Sequence, residues 1–211
     1  MIILFDLDGT LIDSSEAIFE SFYHSFDSHK HPRPPLAMIH SLVGLPLEDM
    51  FMALGVKENI PQFIQTYKEH YRTISIPKTR LLPDAFEAVN LASEFASLGV
   101  VTTKTGRYSK ELLEAFGILE KFNIVIGRED VVNPKPDKEP ILKALNYFQE
   151  ESYNDVWMIG DTCLDIEASN NANINSIALL GGHGLEGDLR QCSKIICHNS
   201  LEAIKYLKSL Q

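Results

Sequence analysis

Apolar residues along the chain follow two rhythms. Short, nearly unbroken apolar runs occur at Ile2–Phe5, Leu98–Thr102, Phe122–Ile126, Val156–Ile159, Ser176–Leu180 and Lys194–Cys197. Runs of this length suit strands buried on both faces of a parallel sheet. Between them the spacing turns helical. Ala85–Phe95 is apolar at 85, 86, 88, 89, 92 and 95, and Lys110–Phe116, Glu139–Phe148 and Leu201–Leu210 are similar. Strand, helix, strand at this rhythm predicts an α/β fold, a doubly wound parallel sheet.

One stretch breaks the rhythm. From about Ser14 to Lys78 there are helical patterns at Ala17–Phe26, Leu36–Val43, Leu47–Leu54 and Gln62–Ile74, and no convincing strand. Pro32, Pro34 and Pro35 punctuate the stretch, and Ile76-Pro77-Lys78 closes it. An all-helical insert directly after the first strand predicts a separate cap. The expected division is a core of residues 1–13 and 81–211 with a cap of residues 14–80.

Composition narrows the class. The 211 residues are 45% hydrophobic and 23% charged, ordinary for a globular protein. At five residues Met1–Phe5 is as long as any apolar run, too short for a bilayer span and without the basic leader of a signal peptide. With 19 basic and 29 acidic residues the formal net charge is −10, which disfavours nucleic acid and anionic membranes as partners. Cys163, Cys192 and Cys197 are odd in number and form no CxxC pair, so reduced thiols in a cytoplasmic protein are expected.

Two of the predicted strands run straight into acids. Asp6-Leu7-Asp8-Gly9-Thr10 follows the first and Gly160-Asp161-Thr162-Cys163-Leu164-Asp165 follows another. Open α/β sheets bind ligands at that end of their strands. An EF-hand would need Gly and Glu where the first segment has Leu11 and Ala17, so that reading fails. A solvated turn, a helix-capping Asp161 and an exposed first-turn Asp165 are the plain alternatives. Two acid clusters converging on one sheet edge argue for a cation between them. Thr102-Thr103-Lys104 ends a third strand, and Lys135-Pro136-Asp137-Lys138-Glu139-Pro140 stiffens a loop before a helix.

These four segments, in this order, resemble the four motifs of the haloacid dehalogenase-like phosphohydrolase superfamily. Within it the chain is similar to phosphoglycolate phosphatase-like members with a helical cap. The resemblance implies that Asp6 attacks phosphorus to form an aspartyl-phosphate, and that Asp8 protonates the leaving oxygen and then activates water. Thr102 and Lys135 would bind the transferring phosphoryl group. Mg²⁺ would be held by Asp6, Asp161 and the backbone carbonyl of Asp8, supported by Asp165. Gly9, Thr10 and Thr103 would lie at the substrate. Relatives often have Asn where this chain has Thr103, and a second Pro where it has Lys138.

The implied activity is Mg²⁺-dependent hydrolysis of a small phosphomonoester by a monomer or weak homodimer. A phosphomutase of the same fold and a non-catalytic phosphate-binding protein are the alternatives. Gly182-His183-Gly184-Leu185-Glu186-Gly187 fits GxGxxG, but the acid that would read a dinucleotide ribose, Glu202, falls in the last helix. A glycine-rich turn is the better reading. Every core group named addresses the phosphoryl group, so substrate choice is expected in the cap. Gly44-Leu45-Pro46 is the candidate segment facing the substrate, and Arg33, Lys57, Lys68, Arg72 and Lys78 are the candidate cap cations.

Overall fold

The computed structural model describes residues 1–149 and 154–211. Six parallel strands form one sheet: β1 (Ile2–Phe5), β4 (Ser97–Val101), β5 (Ile124–Ile126), β6 (Val156–Gly160), β7 (Asn175–Leu179) and β8 (Ile196–Cys197), in the spatial order β5-β4-β1-β6-β7-β8. Side chains alternate across β1. Ile3 and Phe5 pack with α5 (Ala85–Ser93), α6 (Gly106–Ala115) and α10 (Ser200–Lys208). Ile2 and Leu4 pack on the other face with α7 (Glu139–Phe148) and α8 (Cys163–Ala172). Both faces are covered, so every strand reads as a continuous apolar run. The doubly wound α/β expectation holds.

The register aligns the chemistry. Phe5 of β1 lies opposite Val100 of β4 and Ile159 of β6. Asp6, Thr102 and Asp161 therefore emerge together from the carboxyl ends of three adjacent strands, where the strand order reverses direction about β1.

Between β1 and α5 lie α1 (Ser15–Ser28), α2 (Leu36–His40), α3 (Leu47–Ala53) and α4 (Ile60–Ile74). They enclose an aromatic core of their own, with Phe22, Phe26, Phe51, Phe63, Tyr67 and Tyr71 buried together. On α4 the buried positions 63, 67 and 71 recur every fourth residue and form one stripe. The chain passes between the core and these helices through two short strands, β2 (Ile12–Asp13) and β3 (Arg80–Leu81). They pair antiparallel, and Arg80 binds Asp13 at 2.7 Å. Neither strand was expected from the sequence, nor was the short helix α9 (Glu186–Cys192).

The cysteine expectation is corrected. Cys163, at the start of α8, and Cys192, at the end of α9, form a disulfide with Cα atoms 6.0 Å apart. Cys197 is a free thiol, and burial pushes its pKa up to about 11. Among the described residues no helix is long and apolar enough to cross a membrane.

Candidate active site

Three carboxylates meet at the strand ends. Oxygens of Asp6, Asp161 and Asp165 lie within 4.8 Å of one another, and all three residues are buried. Each is held differently. Asp161 Oδ1 accepts from the Thr10 hydroxyl at 3.0 Å, and its Oδ2 accepts from the His183 backbone N–H at 2.7 Å. Asp165 is fully buried in the first turn of α8, and its Oδ2 accepts from the Thr162 N–H at 3.0 Å and hydroxyl at 2.8 Å. It is not the exposed helix-start acid of the plain reading. Asp6 Oδ1 is buried, and Lys135 is its partner.

Lys135 crosses the cluster. Its Nζ lies 2.9 Å from Asp6 Oδ1 and 2.5 Å from Asp165 Oδ1, and donates to the Val101 carbonyl at 3.0 Å. Burial works against its charge, but Asp165 and Asp6 outweigh it and hold the ammonium above its ordinary pKa. Burial raises the Asp6 carboxyl to about 6 despite Lys135, with Asp165 and Asp8 adding to the rise. Asp161 is likewise held well above the carboxylate range by burial, then by Asp6 and Asp165. Fully ionised, three carboxylates against one ammonium would leave two negative charges in a dry pocket, and that cost is what raises Asp6 and Asp161. A hard divalent cation fits that charge and an all-oxygen donor set.

Asp8 faces away from this cluster. Ser14 donates to its Oδ1, and Lys104 lies 2.9 Å from its Oδ2. The Lys104 ammonium sits 4.6 Å above the centre of the Tyr71 ring. Burial opposes the charge on Lys104, but Asp8 and Tyr71 outweigh it and raise its pKa. Thr102, also buried, accepts from the Lys104 N–H at 3.2 Å.

A cavity of about 70 Å³ between the cap helices and the core takes in Asp8, Thr103, Lys104, Gly44, Leu45 and Tyr71 among its walls. Gly44 and Leu45 thus border this cavity. The Thr103 hydroxyl donates to the Gly44 carbonyl at 2.9 Å, fastening the cap turn to the core. Gly9 and Thr10 lie against Asp161 instead, and neither lines this cavity. Of the five cap cations only Lys68 reaches it. Arg33 pairs with Asp27, and Lys78 pairs with Glu16 and Glu20.

Sequence reasoning missed four contributors: Ser14, Lys104, Arg128 and the turn at 181–184. Arg128 follows β5 and lines the same cavity. The turn wraps Asp161 so closely that a Cβ added at Gly182 would fall 2.1 Å from Asp161 Oδ2, as would one at Gly9 in the loop after β1. The GxGxxG signal marked that turn correctly but gave no hint of its client.

A family model described as haloacid dehalogenase-like hydrolase matches residues 3–179. Pyrophosphatase PpaX of Halalkalibacterium halodurans is 30% identical over 187 residues, covering 88% of this chain and 85% of the relative. PpaX of Bacillus velezensis is 33% identical over 175 residues, covering 81% and 78%. The solved structure of a haloacid dehalogenase-like family hydrolase from Streptococcus pneumoniae superposes with a TM-score of 0.87 at 29% identity, covering 97% of each chain. The protein is thus a hydrolase of the phosphatase type, and the chain belongs to the haloacid dehalogenase-like hydrolase family.

Proposed function

We propose that this phosphatase hydrolyses a small phosphomonoester with the help of Mg²⁺, through a phosphoryl group carried on Asp6. The observation that supports it most is the buried cluster in which Asp6 Oδ1 pairs with the Lys135 ammonium beside Asp161 and Asp165. Residues 14–80 act as the cap over a core of residues 1–13 and 81–211. A compact cavity suits a small leaving group, and the names of the PpaX relatives favour inorganic pyrophosphate as a second candidate.

Asp6, Asp161, Asp165 and the backbone carbonyl of Asp8 would hold Mg²⁺. When bound, the cation offsets the negative charge gathered on the phosphoryl oxygens. The Asp6 carboxylate attacks phosphorus, forming one P–O bond as the bond to the leaving oxygen breaks. Asp8 supplies that oxygen with its proton. Lys135 and Thr102 bind the non-bridging oxygens in both steps, since phosphoryl transfer is mostly positioning and charge stabilisation. Asp8 then takes a proton from water, the water oxygen bonds to phosphorus, and the bond to Asp6 breaks to release phosphate.

The test is phosphate release from a panel of phosphomonoesters and pyrophosphate, with Mg²⁺ or with chelator. Activity should vanish in chelator, and Asp6→Asn should lose at least about 100-fold in turnover. Rapid quenching should trap one phosphoryl group per chain on a peptide containing Asp6. Full turnover in chelator, or by Asp6→Asn, contradicts the mechanism. Ester that is isomerised without phosphate release identifies a mutase instead.

A further inference from the structure

The cavity under the cap carries more positive charge than the reaction at Asp6 uses. Lys104 is matched by Asp8. Two more cations border the same space, Lys68 from α4 and Arg128 from the turn after β5. Among the described residues neither has a carboxylate within the 4.0 Å of an ion pair. The Arg128 backbone is fixed by its N–H bond to the Lys104 carbonyl at 3.0 Å, and one guanidinium arm donates to the Val131 carbonyl at 3.1 Å. Its Nε is buried and unpartnered. Glu48 is the one acid besides Asp8 on these walls, so three cations face two acids. A positive niche in a chain of net charge −10 runs against the rest of the molecule. The two acids leave one positive charge on these walls unmatched, and an anionic ligand relieves it.

The niche is also in the right place. It shares Asp8, the proposed donor to the leaving oxygen, with the reaction centre. A group bonded to that oxygen therefore extends toward Lys68 and Arg128. We infer that Lys68 and Arg128 form a second anion subsite, which selects substrates carrying a carboxylate or phosphoryl group on the leaving side. The inference rests on the proposed reaction at Asp6 and adds to it a class of leaving group. Arg128 offers a planar donor fork from the core, and Lys68 offers a point charge from the cap. An anion bridging them ties cap to core, so the same contact that reads the substrate favours closure.

The test compares inorganic pyrophosphate and carboxymethyl phosphate, which carry the second anion, with phenyl phosphate, which does not. Wild-type enzyme with Mg²⁺ should prefer one or both anionic substrates by kcat/KM, and which of them wins tells phosphoryl from carboxylate. Arg128→Ala and Lys68→Ala should each lower the ratio of anionic to neutral kcat/KM about 10-fold or more, mainly by raising KM for the anionic substrate. Arg128→Lys should recover part of the ratio. Lys68 sits half-buried on the cap, so its variant remains informative should Arg128→Ala fail to fold. No wild-type preference for an anionic leaving group overturns the inference, as does a variant that loses all three substrates in equal proportion. Failure of the underlying reaction shows separately, as phenyl phosphate turnover that is indifferent to Asp6→Asn.

Discussion

Asp6 illustrates a conflict resolved within one side chain. The proposed reaction needs its negative charge, yet the residue is only 4% exposed and its carboxyl is raised to about 6, chiefly by burial. The folded chain therefore holds this proton more tightly than the unfolded chain, whose carboxyl titrates near 3.8. Protonation of Asp6 favours folding at about pH 4, and that contribution is lost as pH rises through about 6. Without metal, Asp6→Asn should melt at a higher temperature than wild type at neutral pH, with the gap closing toward pH 4. Mg²⁺ should raise the wild-type melting temperature more than that of the variant. A gap of constant size across the titration would mean that the charge is not its source. The acids themselves were legible, because a strand that runs directly into Asp marks the ligand edge of an α/β sheet. Lys104, Arg128 and the selection of Lys68 among five cap cations were not. A cation in a loop or helix reads as solvated until its neighbours, which are distant in sequence, are known.

At the scale of elements, the turn at 181–184 does more than connect β7 to α9. It presents the His183 N–H to Asp161 and leaves room for that carboxylate only because Gly182 lacks a side chain. Gly182→Ala would put a methyl 2.1 Å from Asp161 Oδ2 and 2.4 Å from its Cβ. It should abolish Mg²⁺-dependent turnover, read by phosphate release. Gly187, in α9, has nothing within 4 Å of an added Cβ. Gly187→Ala should keep activity and gain roughly 0.5–1 kcal/mol in denaturant unfolding from helix propensity. Equal tolerance at both positions would remove the turn from the site. The long apolar runs and amphipathic helices of the core were readable because their periods repeat over many residues. Strands β2 and β3 are two residues each, too short to carry a period. Their partner lies at the other end of the cap, where no local signal could reveal it.

For the whole molecule, the Cys163–Cys192 bond joins the helix that bears Asp165 to the helix that follows the turn around Asp161. It closes a loop of sequence separation 29, for which chain entropy alone suggests stabilisation of about 3.6 kcal/mol. Reductant should lower the melting temperature of wild type and leave Cys192→Ser unaffected. Cys197 should resist alkylation in the folded state at mildly alkaline pH, since burial lifts its thiol to about 11. Denaturation should expose one reactive thiol and reduction should bring the count to three. Three thiols before reduction would show the bond absent. An odd cysteine count with no short-range pair left this pairing unreadable, since the two residues come together only when α8 and α9 pack. The β2–β3 pair carries a different consequence. The chain enters the helical insert after Asp13 and returns from it at Arg80, and those two residues are direct partners. The gap an insert must bridge is therefore a single strand spacing, about 5 Å, whatever the insert's length or shape. The sheet order, the registers and the three reactive strand ends are wired without reference to what fills that gap. The core is in effect a socket, and a different plug could change what is hydrolysed without disturbing how.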